Sequence, residues 1–235
     1  LISRALEGWS RGLAAAAAVL MVLAVLAVAL YAPIEREQGL PQKIFYLHVP
    51  SAWVMFLAFF FVFIGSVRYL WKKDPAWDTF AYCCAELGVL FCTLVLATGP
   101  VWGKATWGAW WTWDPRLTLT LILWLIYSGY LILRASAASE EQAARFGAVL
   151  GIVGFADVPL IHFSVLWWRG MHPAPVIGLG GVQGGGLHPA MLYTLLLSLV
   201  AFTALFLSLL GLRIPLRRAE MEMRDVRRLS TFTQT

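Results

Sequence analysis

The sequence predicts an all-α, polytopic membrane protein with six transmembrane helices, and three observations carry that prediction. Of its 235 residues, 60% are hydrophobic and only 13% are charged, a balance too apolar for a soluble domain. Six stretches, roughly 12–32, 52–71, 79–101, 117–134, 145–166 and 189–211, approach the ~20 apolar residues that a helix needs to cross the hydrocarbon core. Leu, Val, Ala and Phe fill these stretches without a long alternating pattern, which favours helices over a barrel.

The first stretch, Leu13 to Ala32, is longer than the apolar region of a signal peptide. No small-residue cleavage site and soluble domain follow it, so it is expected to remain as a span. The connection after it, "APIEREQGLPQKIFYLHVP", ends with His48 close to Pro50. The second and third spans are joined by "WKKDPAWD", a turn broken by Asp-Pro. Cys83, Cys84 and Cys92 all lie within the third span. They are odd in number and outside any aqueous loop, so they are expected to pack as small apolar residues and not as disulfides. No CxxCH occurs, which excludes covalent c-type haem attachment to this chain. The fourth and fifth spans are joined by "RASAASEEQAAR", small and polar. The sixth follows "WWRGMHPAPVIGLGGVQGGGLHP", a glycine- and proline-rich stretch expected to be a mobile loop. No internal repeat divides the chain, so residues 1–235 read as a single integral-membrane domain ending in a basic tail, 212–235.

The formal charge of +5 reflects topology, not nucleic-acid binding. Thirteen of the 18 Lys and Arg residues fall in the N-terminus, the second and fourth connections with their flanks, and the tail. The alternate connections hold only Arg36, Lys43, Lys104, Arg116 and Arg169. Lys and Arg are retained on the cytoplasmic side, so both termini are expected there, with the basic tail against anionic membrane lipid. All four histidines, His48, His162, His172 and His188, then map to the opposite face.

The same face receives "WGKATWGAWWTWDPRLT", residues 102–118, with five tryptophans in twelve positions. On a helix, Trp107, Trp110, Trp111 and Asp114 would fall at i, i+3, i+4 and i+7, on one side. An interfacial helix anchored by tryptophan is the plain interpretation, but aromatic belts usually supply scattered anchors and not five rings in one connection. A flat apolar platform for a planar macrocycle fits better, with Arg116 or Lys104 available for carboxylates. A porphyrin has that shape and carries two propionates. Neutral imidazole is a common axial ligand of haem iron, and two of the four histidines suffice for a six-coordinate site.

The tryptophan segment resembles the WWD signature of haem-handling proteins in cytochrome c biogenesis. "KIFYLHVPSAW" and "PLIHFSVLWWRGMH" resemble the companion segments of one branch, the CcmC family. The likeness covers nearly the whole chain. It implies a bacterial inner-membrane protein whose WWD segment faces the periplasm, binds haem b transiently and presents it to the haem chaperone CcmE. The implied partners are CcmA, CcmB and CcmD, subunits of an ATP-binding-cassette complex. By motif, the axial ligands are His48 and His172. The WWD positions are Trp102, Trp107, Trp110, Trp111, Trp113 and Asp114. The Pro-Ala-Pro after His172 and the glycines of 178–186 depart from the family pattern. His188 has no matching role and reads as an interfacial bystander, while His162 is expected to pack or hydrogen-bond near the site.

No nucleotide-binding loop occurs, so ATP hydrolysis belongs to another chain. Presentation of haem is therefore expected in place of turnover by acid–base groups. Glu86 and Asp157 lie within spans, where charges are usually paired or functional; Asp157, one to two turns before His162, is expected to orient that histidine. Two other readings stay open: an electron-transfer subunit with bis-histidine haem, and a haem-translocating permease.

Overall fold

The computed structural model describes residues 2–168, 170, 172 and 187–232, and the described residues form helices and their connections. In chain order the helices are α1 (Ile2–Leu26), α2 (Phe45–Lys72), α3 (Pro75–Trp107), α4 (Pro115–Ser136), α5 (Glu140–Phe155), α6 (Asp157–Trp167) and α7 (Pro189–Phe232). Six helical segments among the described residues are long and apolar enough to cross a membrane. They agree with the six expected spans. The glycine-rich stretch expected to be a mobile loop falls mainly on 173–186, outside the described residues.

Local chemistry sets the boundaries. Asp74 accepts a hydrogen bond from the Ala76 amide at 2.9 Å, with Pro75 at the first helical position, so "KDPAW" ends one helix and starts the next. Ser139 caps α5 in the same way through the Gln142 amide at 3.2 Å. The fifth span is two helices, α5 and α6, which meet at Ala156. Pro159 explains the break, because its ring clashes with the carbonyl four residues earlier and it has no amide to donate. α7 continues through the basic tail to Phe232. At 1.5 Å per residue this 44-residue helix is about 66 Å long, well over the ~30 Å hydrocarbon thickness. The tail is thus an extension of the last span.

The core lies where α2, α3, α4 and α7 converge. Phe59 stacks on Tyr127 with ring centroids 3.8 Å apart. Gly88 makes the close α2–α3 approach possible, since a Cβ there would lie 2.5 Å from the Phe59 ring. Tyr127 donates its hydroxyl proton to the Gly151 carbonyl at 3.0 Å, fastening α4 to α5. Cys83, Cys84 and Cys92 are free and buried, as packing residues should be.

At the end of the bundle away from the tryptophan segment, charge is paired. Arg134 of α4 forms a bidentate pair with Asp78 of α3, its second bond measuring 2.6 Å, and lies over the rings of Tyr82 and Tyr130. Glu86 receives Arg213 of α7 at 2.7 Å, and Glu220 joins Arg213 and Arg217. The intramembrane Glu86 therefore has a structural partner. Such pairing offsets the cost of burying each charge.

Candidate functional site

The other end of the bundle holds a cavity of about 780 Å³, within the range of small-molecule sites. Its walls come from α2, α3, α4, α6 and α7 and from the connection between α3 and α4. His48, His162 and His172 all line it. Three of the four histidines therefore share one enclosure.

His48 lies in the first turn of α2 and is buried. Its Nδ1 is 2.8 Å from the Thr98 hydroxyl oxygen on α3. That hydroxyl already donates its only proton to the Leu94 carbonyl at 2.7 Å. The threonine oxygen must accept from His48, so Nδ1 carries the proton and Nε2 is left with its lone pair. An imidazole held in this tautomer by a hydrogen bond from its other nitrogen is prepared for a metal. Gly99 makes room for the ring, since a Cβ there would lie 3.3 Å from its Cε1. Trp102 closes on it edge-on at 5.7 Å and is itself fixed by donating its indole N–H to Gln38 at 3.0 Å.

His172 approaches from the far side of the sequence. Its Nδ1 lies 3.3 Å from Arg116 Nη1, and its ring centroid is 6.4 Å from that of Trp107. Arg116 also donates to the His162 carbonyl at 3.4 Å, which ties α4 to α6. Among the described residues, the buried Arg116 Nε and Trp111 Nε1 have no hydrogen-bond partner. Both residues line the cavity. Two unsatisfied donors on an apolar wall suit an anionic group on a bound molecule.

The tryptophan segment is not one helix. α3 ends at Trp107 because Gly108 takes a left-handed conformation, φ 77°, and returns its amide to the Lys104 carbonyl. Residues 109–114 form an irregular connection, in which Trp113 also has a positive φ of 51°. The expected common helical face of Trp107, Trp110, Trp111 and Asp114 is therefore overturned. Asp114 instead caps α4: its Oδ1 accepts from the Leu117 amide at 3.0 Å, its Oδ2 from Thr112 at 3.3 Å, and Pro115 follows at the first helical position. Trp102, Trp107, Trp110 and Trp111 line the cavity with Arg116. Trp113 stands behind that wall, edge-on to Trp111 at 5.6 Å and 70% exposed.

Comparison with known proteins supplies the remaining observation. The family model described as "CcmC: Heme exporter protein C" matches residues 2–230. The chain belongs to the CcmC family. It is 39% identical to heme exporter protein C of Bradyrhizobium diazoefficiens over 92% of this chain and 80% of that protein. It is 33% identical to heme exporter protein C of Haemophilus influenzae, over 84% and 78% of the two chains. A ccmC-like mitochondrial protein of Marchantia polymorpha, named for cytochrome c biosynthesis, is 36% identical over 73% and 71%. Membership gives the chain a general role in haem handling for cytochrome c maturation.

Within this CcmC-family structure the histidines divide. His188 caps α7, its Nδ1 accepting from the Ala190 amide at 3.2 Å. His162 lines the cavity and meets Phe163 edge-on at 5.2 Å. The expected contact from Asp157 to His162 is not formed among the described residues; Asp157 is buried with Oδ2 unpartnered. Both lie on α6, and five residues along one helix turn the two side chains about 140° apart, so nearness in sequence does not bring them together. Thr98 escaped the sequence reading altogether. Its only signal is a hydroxyl within an otherwise apolar turn, "LATGP".

Proposed function

We propose that this protein binds haem b at the periplasmic face of the bacterial inner membrane and presents it to a CcmE-like haem chaperone. The observation that carries the reading is the convergence of His48 and His172 on one tryptophan-walled cavity. Haem is the cargo, held transiently. His48 Nε2 and His172 supply the axial ligands. Trp102, Trp107, Trp110 and Trp111 offer apolar faces to the ring, and Arg116 meets a propionate. Trp113 and Asp114 shape this wall from behind. Trp110 lines the cavity and is 59% exposed, which supports a contact with the chaperone there.

Partners follow from the same reading: CcmA, CcmB and CcmD-like subunits of an ATP-binding-cassette complex, with the nucleotide chemistry on another chain. Both termini are cytoplasmic, and the extended α7 carries its arginines to that side. The ionic pairs at the α3, α4 and α7 ends support this as a closed, structural side, which disfavours a route for haem across the whole bundle.

The test is the absorption spectrum of the full-length protein purified in detergent. Wild type is expected to carry six-coordinate haem. His48→Ala and His172→Ala each shift the spectrum, the double variant loses most haem, and His188→Ala leaves it unchanged. Equal damage from His188→Ala and His172→Ala would remove His172 from the ligand set.

A further inference from the structure

The cavity does not end at the histidines. It continues along α2 and α7 past Trp53 and Phe56 on one side and Val200, Thr203 and Ala204 on the other. Trp53 is eight residues into α2 and Val200 eleven into α7, so they sit about 12 and 16 Å along those helices. Both lie inside membrane-spanning segments. Both line the cavity and keep about half of their surface accessible, Trp53 49% and Val200 56%. Accessible surface on cavity-lining residues at the depth of the hydrocarbon reads as a second mouth, sideways between α2 and α7, beside the one at the tryptophan rim.

Among the described residues, a single polar contact crosses the second mouth. The Trp53 indole N–H donates to the Thr203 hydroxyl oxygen at 3.1 Å. Thr203 in turn donates to the Leu199 carbonyl at 2.7 Å. The remaining wall here is hydrocarbon. In lipid an indole N–H has no water to turn to, so this bond holds α2 and α7 together at modest cost to open. Double-mutant values for such intramembrane bonds average about 0.6 kcal/mol.

We propose that this mouth is an intramembrane loading site: haem already dissolved in the bilayer enters edge-first between α2 and α7, with Trp53 and Thr203 as the latch, and rises to His48. The inference rests on the haem reading above. A flat macrocycle with apolar edges partitions into lipid, and the portal presents it with Phe56, Val200 and Ala204 in place of charge. Its two carboxylates trail toward the interface, where Arg116 and Trp111 hold unpaired donors. The ring moves without covalent change, and iron exchanges its resident ligands for imidazole only on arrival.

The experiment uses the full chain in lipid nanodiscs, with haem either preloaded into the lipid or added from water, and follows the rise of the histidine-ligated Soret band. Wild type is expected to fill faster from lipid. Thr203→Val, which keeps shape and removes the latch bond, should fill faster still. Ala204→Trp, which plugs the mouth, should slow filling from lipid by about tenfold or more while leaving the final spectrum unchanged. As a check independent of filling, Val200→Cys should react with a lipid-soluble maleimide and be protected once haem is bound; the native cysteines are fully buried. Filling of Ala204→Trp at the wild-type rate, or a Val200→Cys thiol that is unreactive in the empty protein, overturns the portal. Failure of wild type to take up haem from either source overturns the haem reading instead.

Discussion

The bond between His48 and Thr98 is the most informative place to perturb this protein. Thr98→Val keeps the shape of the side chain and removes the acceptor of the His48 Nδ1 proton, now 2.8 Å away. His48 is buried, so water does not replace the lost partner. Leaving a buried donor unsatisfied costs about 1–3 kcal/mol, and moving the proton to Nε2 to escape that cost occupies the very nitrogen needed for iron. Ligating iron through Nε2 then means returning the proton to the unpartnered Nδ1, which weakens binding by about 5- to 150-fold, at 1.4 kcal/mol per factor of ten. Loss of the hydrogen-bond partner behind a metal-ligating side chain typically costs about 10- to 100-fold in affinity, a range that overlaps this one. The assay is haem titration of the full-length protein in nanodiscs, read from the Soret band, with thermal unfolding of the haem-free protein alongside. Thr98→Ser, which restores the acceptor, should recover most of the affinity. Haem affinity of Thr98→Val within about twofold of wild type would refute the tautomer argument, because a 1 kcal/mol loss already exceeds that.

Three further outcomes are expected. Trp111→Ala should release haem while Trp113→Ala retains most of it, since only Trp111 lines the cavity; haem content after purification measures this, and Trp111→Phe should be intermediate. Asp78→Ala strands Arg134, whose side chain is only 3% exposed, and should cost about 3–5 kcal/mol of stability; haem affinity of the surviving folded fraction stays unchanged, and Asp78→Leu with Arg134→Met together should be far milder in thermal unfolding. Reporter fusions after Thr235 should be active only in the cytoplasm; periplasmic activity would reverse the assignment of the histidine face.

Asp114 shows how local rules can win over periodicity. Its spacing from Trp107 satisfied a helical face, yet the same few residues contain stronger stop and start signals. Gly108 ends α3, and Asp114-Pro115 begins α4. Removing the cap should therefore act first on the α4 terminus, by about 0.5–2 kcal/mol, and only through it on the wall that Trp111 forms.

Sequence alone determined the six spans, because every backbone polar group in hydrocarbon must bond within its own helix and a long apolar run leaves no other solution. It also determined the shared face of the histidines and tryptophans, since that follows from counting crossings, and the buried role of the three cysteines. Tertiary structure decided what touches what. Thr98 and His48 are 50 residues apart, Trp53 and Thr203 are 150 apart, and no local pattern links either pair. Likewise the partner of Glu86 and the opening between α2 and α7 depend on how helices lean together. Side-chain packing fixes those positions, and hydropathy, which records only how much of a segment avoids water, carries no information about which neighbour it meets.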